Sequence, residues 1–211
     1  MNSGTISYKE PHFILSIQSD VYNWGIMFQN TDYSWQLVAN PQGVVDSADF
    51  FILLGFGLAK DTEGDLLPGA SNLALARWLI AHNTERKPTI TQLGTELALK
   101  QLAADSAEYI HPLPHNDDVH VDTHGAALQI WLLAEQNKWR RPCLVTHPLQ
   151  SERAHRIFAK LPFDALILPA IPQDAIPLTP DSIQRWTRNR FNYTLFEWLM
   201  ARPIAKIFGW L

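Results

Sequence analysis

A chain of 211 residues with 46% hydrophobic and 18% charged side chains is long enough to bury a core of its own and lies far from the composition of a disordered protein. Its formal net charge of −4 argues against a nucleic-acid partner, which asks for a basic face. A single cysteine, Cys143, excludes an intrachain disulfide, no apolar run reaches the roughly 18 residues of a spanning helix, and no secretory leader pattern opens the chain, so the expected setting is the cytoplasm.

Residues 1–45 read differently from the rest. Three β-prone runs, at 13–17, 24–28 and 34–38, follow one another, with Asn30-Thr31-Asp32 as a turn between the last two. They suit a β-rich N-terminal extension, with helix as the alternative. From Asp49 the pattern becomes βα. Residues 50–54 form a continuous apolar run suited to a buried parallel strand, closed by Gly55-Phe56-Gly57. The stretch 72–82 places Leu73, Ala76, Leu79 and Ile80 on one helical face. A second strand starts at Lys87 and ends at Gln92-Leu93-Gly94, and a helix is expected over 96–104. Tyr109-Ile110 reads as a short strand leading to a polar loop from His111 to Asp122, and 125–137 as a helix with Leu128, Trp131, Leu132 and Ala134 as its apolar set.

The segment 141–169 is the most informative. An apolar run over 143–145 stops at Thr146, a polar turn follows, Ala154, Ile157, Phe158 and Leu161 fall at helical spacing, and a second apolar run covers 165–168. In such strand, loop, helix, strand units ligands collect at the carboxyl end of the first strand, where helix N-terminal amides face solvent. Thr146, Gln150 and Arg153 fall there. Cys143, inside the strand, reads as a buried and unreactive thiol. Pro172, Pro177 and Pro180 then space a loop, and 182–211 finish as one or two helices interrupted near Pro203.

Three strand ends, Gly55-Phe56-Gly57, Gln92-Leu93-Gly94 and Thr146-His147, are expected to converge on one sheet edge. Glycine lets backbone approach a ligand closely, and free amides there favour phosphate or carboxylate. Arg153, one helical turn past a strand end, can clamp such an anion with its planar fork; the blander alternative is a surface arginine paired with Glu152 or Asp181. A competing constellation is the loop carrying His111, His115, Asp117, Asp118, His120, Asp122 and His124, whose imidazoles and carboxylates suit zinc or another divalent metal, with His147 near the same edge. The alternative there is a plain solvent-facing loop. Ser151 lies near His155, but no Gly-x-Ser-x-Gly elbow surrounds it. The tail 203–211 is apolar enough to touch a membrane surface or a protein partner, or to pack back onto the sheet.

The order of Leu54-Gly55-Phe56-Gly57 with Asp61, Gln92-Leu93-Gly94 with Glu96, Asp122-Thr123-His124-Gly125-Ala126, Val145-Thr146-His147-Pro148-Leu149-Gln150-Ser151-Glu152-Arg153-Ala154 and Glu197 resembles the YdcF/SanA/ElyC family over about residues 46–205. Gln150 stands where that family has histidine, Gly125 and Ala126 replace a Glu-Asn pair, and Phe56 and Leu93 fill glycine positions. The resemblance implies an α/β fold: a three-layer Rossmann-like domain with a mostly parallel sheet over 46–211, preceded by the β-rich extension 1–45. It also implies a small anionic or nucleotide-like ligand, a link to cell-envelope metabolism, and a binding set of Gly55, Phe56, Gly57, Asp61, Gly94, Glu96, Thr123, Thr146, His147, Gln150, Arg153 and Glu197, with no metal among the expected ligands. No cofactor is indicated and catalysis is left open. The alternatives are a metal-assisted hydrolase using the histidine loop and a non-catalytic binding or scaffold protein.

Overall fold

Residues 36–102, 109–113 and 123–211 are described by a computed structural model. In chain order their elements are β1 (Phe50–Leu53), β2 (Ala59–Lys60), β3 (Leu66–Leu67), α1 (Gly69–His82), β4 (Thr89–Thr91), α2 (Leu93–Leu102), β5 (Ile110–Pro112), α3 (Thr123–Asn137), β6 (Pro142–Val145), α4 (Pro148–Phe158), α5 (Arg190–Phe196) and α6 (Arg202–Ile207). The sheet order is β5-β4-β1-β6 and every pairing in it is parallel, with Ile52 opposite Ile90 on one side and Leu144 on the other. A mixed α/β structure with a four-stranded parallel sheet flanked by helices is compatible with a Rossmann-like fold. The expected N-terminal extension lies outside the described residues up to Trp35.

All of β1 is buried because helices cover both of its faces. Its side chains alternate between two cores. Phe50, Ile52 and Leu54 pack with Ala126, Ala127 and Ile130 of α3 and Ala154, Ile157 and Phe158 of α4. Phe51 and Leu53 pack with Leu75, Ala76 and Leu79 of α1 and Ala98 and Leu99 of α2. The run 165–168 contributes edge pairings: Ile167 bridges Cys143 in parallel and Leu168 bridges Gln42 in antiparallel fashion. Residues 36–38, part of an expected strand, form none; the Leu37 carbonyl accepts the Glu152 N–H at 3.1 Å and the Ala39 N–H donates to Ser151 Oγ at 2.8 Å.

In two helices the buried face only partly coincides with the one expected: Ala76, Leu79 and Ala134 are buried as expected. In α3, Leu128 and Leu132 are 40% and 50% exposed, while Ala126, Ala127, Ile130 and Ala134 are buried. In α1, Ile80 is exposed and the buried line is Ser71, Asn72, Leu75, Ala76 and Leu79. α3 approaches the sheet mainly through alanines around Ile130, and α1 through Leu75, Ala76 and Leu79, so Leu128, Leu132 and Ile80 mark the flanks rather than the seam. The expected break near Pro203 is instead a π-helical turn, Glu197–Ala201, that joins α5 to α6. Pro203 has no N–H, and its ring crowds the carbonyl four residues back; one extra residue in the turn relieves both.

Ile130→Ala is therefore expected to lower stability by about 2–5 kcal/mol, whereas Leu128→Gln and Leu132→Gln stay within about 0.5 kcal/mol of the parent. Urea denaturation of the three variants checks this, and a costly Leu128→Gln or Leu132→Gln beside a harmless Ile130→Ala would show that α3 packs through its other face.

Candidate functional site

From β1 the chain winds through β4 to β5 on one side and then crosses to β6 on the other. The strand order thus reverses between β1 and β6, and loops leaving their carboxyl ends diverge to form the crevice where open α/β sheets bind ligands. Gly55-Phe56-Gly57 and Thr146-His147 stand at this point, as expected.

The amides there are not free. Gln92 Oε1 accepts the Gly55 N–H at 2.8 Å, Asn72 Oδ1 accepts that of Phe56 at 2.8 Å, and Gln184 Oε1 accepts that of Gly57 at 3.2 Å. Asn72 also donates through Nδ2 to the carbonyls of Gly57 (2.7 Å) and Pro68 (2.5 Å). Gln92 stands at one of the strand ends expected to converge here, whereas Asn72 and Gln184 were not expected at the site; a polar Asn at the start of a helix that otherwise faces the core was the one available signal for Asn72. Gly94 serves the same clamp by leaving room, since a Cβ there would stand 2.5 Å from Asn72 Nδ2.

Phe56 fills the crevice. Its ring stacks on His147 with centroids 4.0 Å apart and meets Tyr193 at 5.0 Å. His147 caps α4, its Nδ1 accepting the Leu149 N–H at 3.2 Å, which leaves the proton of the neutral ring on Nε2. Burial pushes its pKa down to about 4.

Beside this stack lies a charge cluster. Glu197 is fully buried, and Arg153 Nε donates to both of its oxygens at 3.0 and 3.1 Å. Arg202 Nε donates to the same carboxylate at 3.3 Å. The π turn makes the second contact available, because the Arg202 N–H bonds the Glu197 carbonyl five residues back and stacks residue 202 over residue 197. Arg153 Nη1 also donates to Thr123 Oγ1 at 2.6 Å, and Gln150 Nε2 reaches that oxygen at 3.4 Å. Burial works against the Arg153 charge, but Tyr193 and Glu197 outweigh it and hold its pKa above the ordinary range. Burial, and then Glu197, raise that of Tyr193. Arg153 is thus neither a free clamp nor a partner of Glu152, which pairs with Arg156 at 2.8 Å.

The remaining expected residues divide. Thr146 Oγ1 is buried with no hydrogen-bond partner among the described residues, as is Thr91 Oγ1 at the end of β4. Glu96 is buried, one oxygen accepting from Lys100 at 2.6 Å and the other without a partner among the described residues. Asp61 is exposed and closes the β2–β3 hairpin, its Oδ1 accepting the N–H groups of Glu63 and Asp65 at 2.9 Å each. His124 stacks on Trp210 at 4.2 Å and His111 meets Trp139 at 5.1 Å, while His115, Asp117, Asp118, His120 and Asp122 lie outside the described residues. No three metal-ligating side chains come together among the described residues. Cys143 is buried, its thiol pushed up to about 12 by burial, and Trp210 and Leu211 pack against the core of α3 and α4. Comparison with protein-family models, curated proteins and solved structures finds no significant match to this chain.

Removing Arg153 strands a buried carboxylate, so Arg153→Ala is expected to cost about 3–5 kcal/mol of stability, with the double variant Arg153→Met/Glu197→Gln costing clearly less than the sum of its parts. Chemical denaturation of the singles and the double measures the coupling; a loss under about 1 kcal/mol for Arg153→Ala would mark a solvated helix residue.

His147 binds its proton less readily folded than unfolded. Its contribution to stability is therefore complete above the unfolded pKa of 6.5 and is lost as pH falls toward about 4, with a slope of up to about 1.4 kcal/mol per pH unit. His147→Asn keeps an N-cap acceptor and is expected to flatten this part of the stability curve; an unchanged slope in that variant would assign the titration elsewhere.

Proposed function

We propose that this chain is a divergent relative of the YdcF/SanA/ElyC proteins that binds a small anionic or nucleotide-like metabolite at the carboxyl edge of its sheet. One observation carries the reading. Thr123, Gln150, Arg153 and Glu197, matched to that family through three separate motifs, meet in one hydrogen-bonded cluster. Residues that merely resembled a pattern by chance have no reason to converge.

Glu197 and Thr123 fix the plane of the Arg153 guanidinium, so an anion meets donors that are already oriented, and the cost of ordering them is met on folding rather than on binding. The reading keeps the cytoplasmic setting expected from the sequence; a role in cell-envelope metabolism is what the resemblance adds. No helix among the described residues is long and apolar enough to cross a membrane.

A second reading, a binding or scaffold protein without catalysis, is favoured by the strand-end amides. Gly55, Phe56 and Gly57 each give their N–H to a side chain of the protein itself, and Gln150, which cannot titrate, stands at the family's histidine position.

Calorimetric titration against mononucleotides, S-adenosylmethionine and sugar phosphates tests the first reading. Arg153→Lys keeps the charge that Glu197 needs but loses the planar fork, and is expected to weaken binding about tenfold. Unchanged affinity in that variant removes Arg153 from the site, and no binding by any of these compounds leaves the second reading standing.

A further inference from the structure

The C-terminal helix, residues 190–207, is inverted relative to an ordinary amphipathic helix. Its inner line is Tyr193, Glu197, Arg202 and Ala205, all buried and held by ion pairs. Its outer line is Phe191 (74% exposed), Leu195 (48%), Leu199 (63%), Ile204 (41%), Ile207 (69%) and Phe208 (63%). Single exposed apolar side chains are ordinary on a protein surface, whereas a continuous stripe of them marks an interaction face. The extra residue of the π turn lengthens one step of both lines, from 197 to 202 inside and from 199 to 204 outside, and so keeps the stripe on one side.

We propose that this helix lies in the interface of an anionic lipid bilayer and seats the protein on a membrane surface. Charge selects this occupant. Although the chain as a whole is negative, residues 182–211 contain only one acidic side chain, Glu197, and it is buried between two arginines. Arg185, Arg188 and Arg190 are exposed just before the stripe begins and Lys206 is exposed near its end. Apolar side chains bordered by cations match an acyl layer bordered by anionic headgroups. A second copy of the chain would offer the stripe a like-charged border with no exposed carboxylate from this segment to answer it. The buried ion pairs also fix the helix in place, so the stripe faces outward without any rearrangement.

The inference uses the Arg153–Glu197 pair only as a structural anchor and needs no ligand at the strand ends, so the two readings stand or fall separately. The test is co-sedimentation of the full chain with vesicles of phosphatidylcholine alone and of phosphatidylcholine containing phosphatidylglycerol. Partition is expected to be about tenfold stronger onto the anionic vesicles, to fall about tenfold in Leu199→Ser/Ile207→Ser, to fall likewise in Arg188→Glu/Arg190→Glu, and to weaken at about 0.5 M salt. All four positions are exposed, and circular dichroism confirms that the variants fold. Absence of partition by the parent chain, or equal partition by parent and variants, overturns the proposal. So does a concentration-dependent dimer in analytical ultracentrifugation that Leu199→Ser/Ile207→Ser dissolves, because it identifies a second copy as the occupant.

Discussion

A carboxylate with no solvent exposure, Glu197, sets the position of much of the structure. Taking such a charge out of water costs several kcal/mol even after relaxation, and only well-formed charge-assisted hydrogen bonds offset it. Glu197 has them from Arg153 on α4 and from Arg202 on its own helix. Arg153 in turn binds Thr123 at the start of α3, and Arg202 Nη2 donates to the Gln36 carbonyl at 2.5 Å and lies over the Trp198 ring at 4.5 Å. Sliding the C-terminal helix by one turn along α4 would part the buried charge from Arg153 and leave it with Arg202 alone. The π turn is the geometric consequence: only a turn five residues wide brings Arg202 back over Glu197 while also absorbing Pro203.

The loop after β1 obeys a different constraint, that of close backbone approach. Gly57 (φ +76°) and Gly69 (φ +71°) both lie in the left-handed region, and a Cβ on Gly69 would stand 2.9 Å from the Gly57 carbonyl oxygen. That contact lets α1 begin directly over the loop, which puts Asn72 where its amide can accept from Phe56 and donate to Gly57 and Pro68 at once. The aromatic stack of Phe56, His147 and Tyr193 packs beside this loop, and burial there favours the neutral form of His147.

These two constraints explain what a reader of the sequence can and cannot see. The strands at 50–53 and 142–145 are legible because a parallel strand covered on both faces leaves an unbroken apolar run, and the one at 89–91 because β-branched Thr-Ile-Thr follows Pro88 and ends at Gln92-Leu93-Gly94. The presence of α1, α3 and α4 is legible too, and the buried face of α4 emerges correctly because Ala154, Ile157 and Phe158 stand among polar neighbours. In α1 and α3 apolar residues occur on more than one face, so periodicity alone does not decide which of them meet the sheet. At the site, Thr123 and Glu197 come from a resemblance and Gln150 and Arg153 from strand-end position as well, but the contact between them comes from neither, since Arg153 and Glu197 are 44 residues apart in the chain. Gln92 is legible only as part of a strand end and Gln184 had no signal: an amide that caps a loop amide is fixed by backbone position and not by any spacing of residue types.

The C-terminal helix shows the same difficulty in its strongest form. Hydrophobic periodicity identifies a helix face correctly, but the assignment of that face to the core rests on the premise that apolar side chains have nowhere else to go. Here the interior position is already taken by a charge that cannot leave it. Among the described residues Glu197 is paired with Arg153 and Arg202, and Arg153 is fixed to α4 on the inner side, so the helix turns its ion pairs inward, and helical geometry then turns Phe191, Leu195 and Leu199 outward. Replacing the buried ion pairs with well-packed apolar residues is often neutral or even stabilising in proteins, so stability alone does not require this arrangement. What the ion pairs provide is orientation: of the two rotations open to an apolar helix, they select the one that leaves its hydrophobic face uncovered.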